Sequence, residues 1–503
     1  MLTYWRIYGK ISARKKVEKP KYPCTYEAIW MYKYASGQLR FEDFGQPVGM
    51  HMSPDNRWVK RAESIPWDEI EHRYAELFKN RKGNVAKPLR LALGACIIQS
   101  EYGYSDEETA LQIQEGPYLQ FFCGFPKYEY KQPFDPSLMV YFRKRLTPEI
   151  LGEINELIIR NAKKESEEEH PDDKDDSGKP QPPQNAGTMI VDATCAPSNI
   201  KYPQDTELLN EARENTEAMI DGMHEPKDGK RPRTYRKLAH KNYLKFARSK
   251  KRTRKQIRKS VRQQLGYLKR NLGVIDQMLS KGKALSKKQQ KRLETIRVLY
   301  EQQKTMYDNK VHSVKDRIVS LNQPYLRPIV RGKARAPVEF GAKLDISVVD
   351  GFARLEKQSF DSYNESTCLQ EEIERYKNRE GCYPKRVLAD KIYRNRANLN
   401  YCKKRGIRLS GPALGRPKKD AVVDRKLEYT DICDRVEVER KFSLAKRKCG
   451  LGLIMTKLRI TTEHVVAMSI LLLNLRKVLC AFLRFLFNWM FLPCFPKNCP
   501  LFS

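Results

Sequence analysis

No Cys-x-x-Cys pair occurs in the chain, and its 12 cysteines are scattered from Cys24 to Cys499. A chain of 503 residues can bury a sizeable core without disulfide staples, so the pattern implies a reducing, cytosolic setting. The first residues, Met1 to Lys10, lack the apolar run of a signal peptide, and no export is expected. Long uncharged apolar runs are lacking too. Arg476, Lys477 and Arg484 cut the apolar tail from Val465 to Phe495 into runs of about 11 residues, short of the roughly 18 needed to span a bilayer. A buried helix followed by an apolar extension is expected there, with no membrane span.

Acidic charge is the largest deficit. Lys and Arg number 96 against 61 Asp and Glu, a net charge of +35 that draws polyanions and makes their binding salt-dependent. Nucleic acid is the first partner to consider, although ribosome-associated and membrane-surface proteins share this balance. The shortage is sharpest between Lys230 and Arg270, where 18 Lys or Arg occur with no acid at all, interspersed with Tyr235, Tyr243, Phe246 and Tyr267. A helical pattern continues to about Leu321. The segment reads as a basic helical insertion, a hairpin of two long helices in which Arg252, Arg254 and Lys255 touch phosphates; a merely solvated arm is the blander reading.

What is present divides the chain. Residues 1–80 mix Tyr, Trp, Pro and charge and read as a lead region into a helix, with Ser64 to His72 as a capped helix start, Ser64 its N-cap. Residues 81–163 carry apolar residues at helical spacing, with helix starts at Ser105 and Asp135, as in an all-helical domain. Within it Tyr141 to Leu146 presents Arg143, Lys144 and Arg145 beside aromatic rings, either as a helix lying on a DNA backbone or as an ordinary solvated face. Residues 164–186 are charged and Pro-rich, and read as a linker. From 187 to 479, interrupted by the insertion at 207–325, short strands alternate with helices, which argues for an α/β domain; 480–503 is the apolar tail. Period two from Pro337 to Leu355 predicts two strands pairing about Asp350-Gly351.

Three acids stand apart from the surface charge. Asp192 and Asp390 are expected at the ends of two strands, and Glu439 on a late helix. Converging carboxylates repel unless a cation neutralises them, and hard oxygen ligands favour Mg²⁺ or Mn²⁺. Two such ions support phosphoryl transfer; strand-end acids are, alternatively, caps and turn residues. On a helix Arg435 lies about 40° from Glu439 and Lys446 about 20° on the other side, forming one stripe roughly 16 Å long. Glu437 points roughly 200° away and is the weaker third ligand.

Several segments, in order, resemble the DDE transposases of bacterial insertion sequences, in particular the insertion sequence five group. They are Val191-Asp-Ala-Thr with Tyr202 to Arg213, Leu388-Ala-Asp-Lys-Ile-Tyr-Arg with Gly406 to Pro412, and Glu439-Arg-Lys-Phe-Ser-Leu-Ala-Lys. Pro133 to Leu138 and Phe142 to Leu146 resemble that family's N-terminal domain. The resemblance implies a ribonuclease-H-like catalytic domain, a mixed sheet flanked by helices, in which Asp192, Asp390 and Glu439 hold two metal ions. It also implies that Arg435 and Lys446 contact DNA phosphates. The Tyr that the family carries three residues before the Arg is Ile432 here. Double-stranded DNA, a homodimer, no small-molecule cofactor and a bacterial cytoplasmic, nucleoid-associated setting follow as expectations. A nuclease without strand transfer and a catalytically inactive DNA-binding derivative are the rival readings.

Overall fold

Apolar periodicity sets the helices of the N-terminal third. The computed structural model describes residue 32 and residues 38–78, 85–169, 185–330, 338–411, 414 and 424–491. The first helices are α1 (Arg57–Glu63), α2 (Trp67–Ala75), α3 (Leu89–Tyr102), α4 (Asp106–Glu115), α5 (Pro117–Phe122), α6 (Leu138–Arg145) and α7 (Pro148–Glu169). Helix α4 starts at Ser105, whose hydroxyl accepts the Glu108 amide, with three acids in the first turn facing the helix dipole. Ser64 does not cap α2: it ends α1, and Pro66 precedes α2 because its fixed φ suits a helix entry. The lead region is, in its described part, folded: Trp58, Trp67 and Tyr74 are buried in the same core as α3 and α5.

A mixed sheet follows. Strand β1 (Thr188–Pro197) leads into α8 (Asp205–Met223), α9 (Arg236–Ala247), α10 (Arg254–Ser280) and α11 (Lys287–Asn309). After these come β2 (Arg327–Val330), β3 (Val338–Val349), β4 (Phe352–Ser359), α12 (Leu369–Glu380), β5 (Arg386–Ala389), α13 (Arg396–Lys404) and β6 (Arg408–Leu409). Helices α14 (Arg425–Lys448) and α15 (Arg459–Phe491) close the described chain. The sheet order is β2-β3-β1-β5-β6, with β4 also pairing β3; β1 runs antiparallel to β3 and parallel to β5. The β3–β4 connection is the two-residue turn Asp350-Gly351, both at positive φ (51° and 73°), the geometry that matches strand twist in a tight hairpin. Gly341 lets β3 approach β1 closely, since a Cβ there would lie 2.0 Å from the Ala196 carbonyl oxygen.

One apolar cluster joins the N-terminal helices, one sheet face, α14 and α15; α15 packs on α1, α3, α6, α7 and β4. The other sheet face packs on α12 and α13. The segment from Asp205 to Leu321 has its own core. It is not a hairpin of two helices. The stripe Leu208, Leu209, Ala212, Met219 and Ile220 on α8 needs an apolar partner, and α10 supplies Val261, Leu265, Leu268 and Ile275 while also packing on α11 and α9.

Helix α7 runs into the expected linker, of which residues 170–184 lie outside the described residues. Likewise α15 passes the expected boundary at 480, and residues 492–503 lie outside them. Among the described residues no helix is long and apolar enough to cross a membrane.

Candidate functional site

Register brings two of the acids together. Val191 of β1 pairs Ala389 of β5 in parallel, so the next residues along, Asp192 and Asp390, stand level on neighbouring strands and on one face. Asp192 is not at a strand end: β1 continues to Pro197 because β3 pairs it through Gly341, leaving Asp192 opposite Ile346 in mid-strand. The site therefore lies over the middle of the sheet, not at its edge. Asp390 follows β5 and caps the short turn Lys391–Tyr393, its Oδ1 accepting the Lys391 amide at 2.8 Å.

Helix α14 packs on β1, β3 and β5 and sets Glu439 and Arg435 above this pair. Arg435 spans the acids: its Nη1 is 3.5 Å from Asp390 Oδ1 and its Nη2 is 3.8 Å from Glu439 Oε1. Asp192, Asp390, Glu439, Arg435 and Lys446 all line one cavity of about 980 Å³. Burial pushes the Asp192 carboxyl up to about 6; the Ala193 amide and Arg435 oppose this, and Asp390 and Glu365 add to it. Ile432, where the resembling family has Tyr, is exposed on α14. Glu437 faces away from these acids and lines a different cavity.

Three oxygen-donor carboxylates around one cavity suit a hard divalent cation by donor type. Among the described residues no group of three or more acidic, imidazole or thiol side chains is gathered as for a bound ion. Arg435 supplies the positive charge between Asp390 and Glu439.

Two lining residues, Lys343 and Glu365, were not singled out from the sequence. They are ion-paired with each other, and Lys343 Nζ also donates to the Tyr363 carbonyl at 2.8 Å. The usable signal was the polar alternation of Lys343, Asp345 and Ser347 inside a strand that is otherwise apolar and wholly buried from Gly341 onward. By parity all three leave β3 on the face away from Asp192, where Asp345, Glu356 and Glu372 are buried, and Lys343 alone of the three lines the cavity. Burial, then Asp345 and Glu356, push Glu372 up to about 9.

The basic residues part ways. Arg143 is not on the surface: it is 9% exposed, and its guanidinium grips Asp106 through two 2.7 Å contacts and Gln99 through one of 2.9 Å. An uncompensated cation inside this helical core would be costly, so α4 provides its partner. Lys144 is exposed, its ammonium 5.5 Å from the Tyr141 ring, while Arg145 covers the Phe78 ring at 4.9 Å. Arg252 donates to Gln204 at 2.9 Å and to the Ala247 carbonyl at 2.8 Å. Arg254 and Lys255 are exposed on the first turn of α10.

Residues 387–476, which include Asp390 and Glu439, match the family described as transposase DDE domain, and residues 48–145 match the one described as transposase domain (DUF772). Such domains are typical of bacterial insertion-sequence transposases, and they indicate a transposase function. The mixed sheet with flanking helices fits a ribonuclease-H-like fold. Over 161 residues the chain is 28% identical to a Rhizobium meliloti protein named uncharacterized protein ORF8 in nfe locus, covering 32% of this chain and 71% of that one. No solved structure matches.

Proposed function

We propose that the protein is a DNA transposase that cuts DNA at the ends of an insertion sequence and joins the freed 3′-hydroxyl to target DNA. The observation that carries this reading is the levelling of Asp192 with Asp390 on one face, beneath Glu439, in a cavity flanked by Arg435 and Lys446. Asp192, Asp390 and Glu439 would hold Mg²⁺ or Mn²⁺, two ions that would activate a water or 3′-hydroxyl and stabilise the leaving oxygen. Burial and crowding have raised the Asp192 carboxyl, a cost that a cation relieves. Arg435 keeps Asp390 and Glu439 turned to the cavity, and with Lys446 it offers positive charge to strand phosphates. Lys144, Arg145, Arg254 and Lys255 extend the duplex-binding surface. Arg252 adds charge beside them, and Arg143 has a structural role. Work on two ends calls for a homodimer, acting on the nucleoid in a bacterial cytoplasm.

The test is Mg²⁺-dependent cleavage of DNA bearing the element's ends, with pre-cut ends to score strand transfer. Cleavage that survives intact in both Asp192→Ala and Asp390→Ala would refute the site; cutting without joining would leave a nuclease. A second reading, a catalytically inactive DNA-binding derivative, draws support from Arg435 lying between two of the acids. Duplex binding by the wild-type chain with no cleavage under any divalent ion would favour it.

A further inference from the structure

Helix α14 lines a second cavity with its other flank. Glu437, Lys441 and Leu444 lie about 140–200° around the helix from Glu439 and, with residues of α15 and the β3–β4 turn, line a separate cavity of about 1020 Å³. Its cations outnumber its acids. Arg386 is paired with Asp434 at 2.7 Å, Arg476 with Glu101, and the Asp350 carboxylate with Lys163 at 3.0 Å. Arg440, Lys441 and Lys477 remain in the lining with Glu437, and none of the three forms an ion pair with a described carboxylate. The Lys477 ammonium is held in place, donating to the Asp350 carbonyl and lying 3.6 Å from the centre of the Phe352 ring. Gly351 leaves the room for it: a Cβ there would come within 2.7 Å of Lys477 Nζ and 3.0 Å of Glu437 Oε1.

We propose that this cavity binds a phosphoryl group, free or carried on a DNA backbone, through Arg440, Lys441 and Lys477. Two half-buried ammonium groups in one cavity, near Glu437 and with Asp350 already paired to Lys163, repel each other until an anion enters. In keeping with this, burial and then Lys441 push the Lys477 amine down to about 8. The site requires nothing of the acids across the helix. It therefore stands or falls apart from the catalytic reading.

The test uses the full-length chain with pyrophosphate as the free probe and a random-sequence duplex as the backbone probe. Pyrophosphate should bind, Lys441→Gln and Lys477→Gln should each weaken it by about tenfold, the loss of one charge-assisted contact, and Asp192→Asn should bind as the wild type does. If pyrophosphate binds weakly but both Gln variants lose about tenfold in duplex affinity, with a shallower salt dependence, the phosphoryl group is the DNA's own. Lys441→Arg, which keeps the charge, should retain binding, and removing either amine should leave the anion-free protein melting no lower than wild type. Gln variants that bind both probes like wild type, or a Lys441→Arg that loses binding as Lys441→Gln does, overturn the proposal.

Discussion

The two faces of the sheet each carry carboxylates, and they differ in everything but residue type. On the α14 face Asp390 and Glu439 are about half exposed and share Arg435 over an open cavity. On the α12 face Asp345, Glu356 and Glu372 are sealed, with exposures of 0%, 6% and 1%. The Glu356 carboxylate there accepts from Ser347 and pairs with arginines of α12, and burial with the neighbouring acids raises Glu372 so that it favours its protonated form. An acid in a strand is thus no mark of chemistry in itself. Access from outside and a cation held at the cavity wall separate the carboxylates proposed for chemistry from those that tie strand to helix.

The sharpest way to break that comparison is to neutralise one acid on each face. Asp192→Asn or Asp390→Asn should lower divalent-ion-dependent DNA cleavage by about 10³-fold or more, whereas Glu372→Gln should leave it within about threefold. Equal losses on both faces would mean that the sealed acids also serve the reaction. Next in size is Arg143, whose removal takes the paired cation from the partly buried Asp106 and leaves a gap in the helical core. Arg143→Ala should cost about 3 kcal/mol in urea unfolding, against under about 0.5 kcal/mol for Lys255→Ala on the exposed turn of α10. Duplex affinity should reverse the order: Lys255→Ala weakens it with a salt slope smaller by about 1, and folded Arg143→Ala binds like wild type. An Arg143→Ala chain of native stability that no longer binds duplex would return that residue to the DNA surface.

Local chemistry is what the sequence makes legible. Asp350-Gly351 between two period-two runs marks a hairpin, and it forms. Ser105 before three acids marks a helix start, and its hydroxyl does accept the Glu108 amide. Stripe geometry on α14 depends only on helical pitch, so Arg435 and Glu439 come within 3.8 Å, as their spacing requires. Pairing across long separations is not legible in this way. Where β1 ends is decided by β3, some 150 residues on, and so Asp192 sits in mid-strand. Arg143 reads as a surface base because its partner Asp106 belongs to another helix, 37 residues away. The two-helix insertion fails for the same reason: the apolar stripe of α8 is diluted by polar residues and only declares itself against α10. Lys343 and Asp345 share one parity of β3, yet one reaches the cavity and the other a sealed pocket, a distinction fixed by the loop at Tyr363 and by α12.

The smallest effect is also the most specific to the sealed face. Glu372 ordinarily titrates near 4.5 and is raised to about 9 in the fold, by burial first and then by Asp345 and Glu356. Between those values the native chain holds a proton that the unfolded chain has released. Stability from this group is therefore complete below about pH 4.5 and is lost as pH climbs through about 9. Asp345, raised from 3.8 to about 6 chiefly by burial, adds a loss of the same sign lower in the range. Gln mimics the protonated carboxyl without a proton to lose, so at pH 5 Glu372→Gln should match wild type within about 0.5 kcal/mol. As pH rises toward 9 the variant should pull ahead. Taking the difference between the two proteins cancels titrations they share, such as that of Lys477, which run with the opposite sign. A variant that falls behind wild type between pH 6 and 9 would show that Glu372 works as a charged partner, and the contrast between the faces would then reduce to access alone.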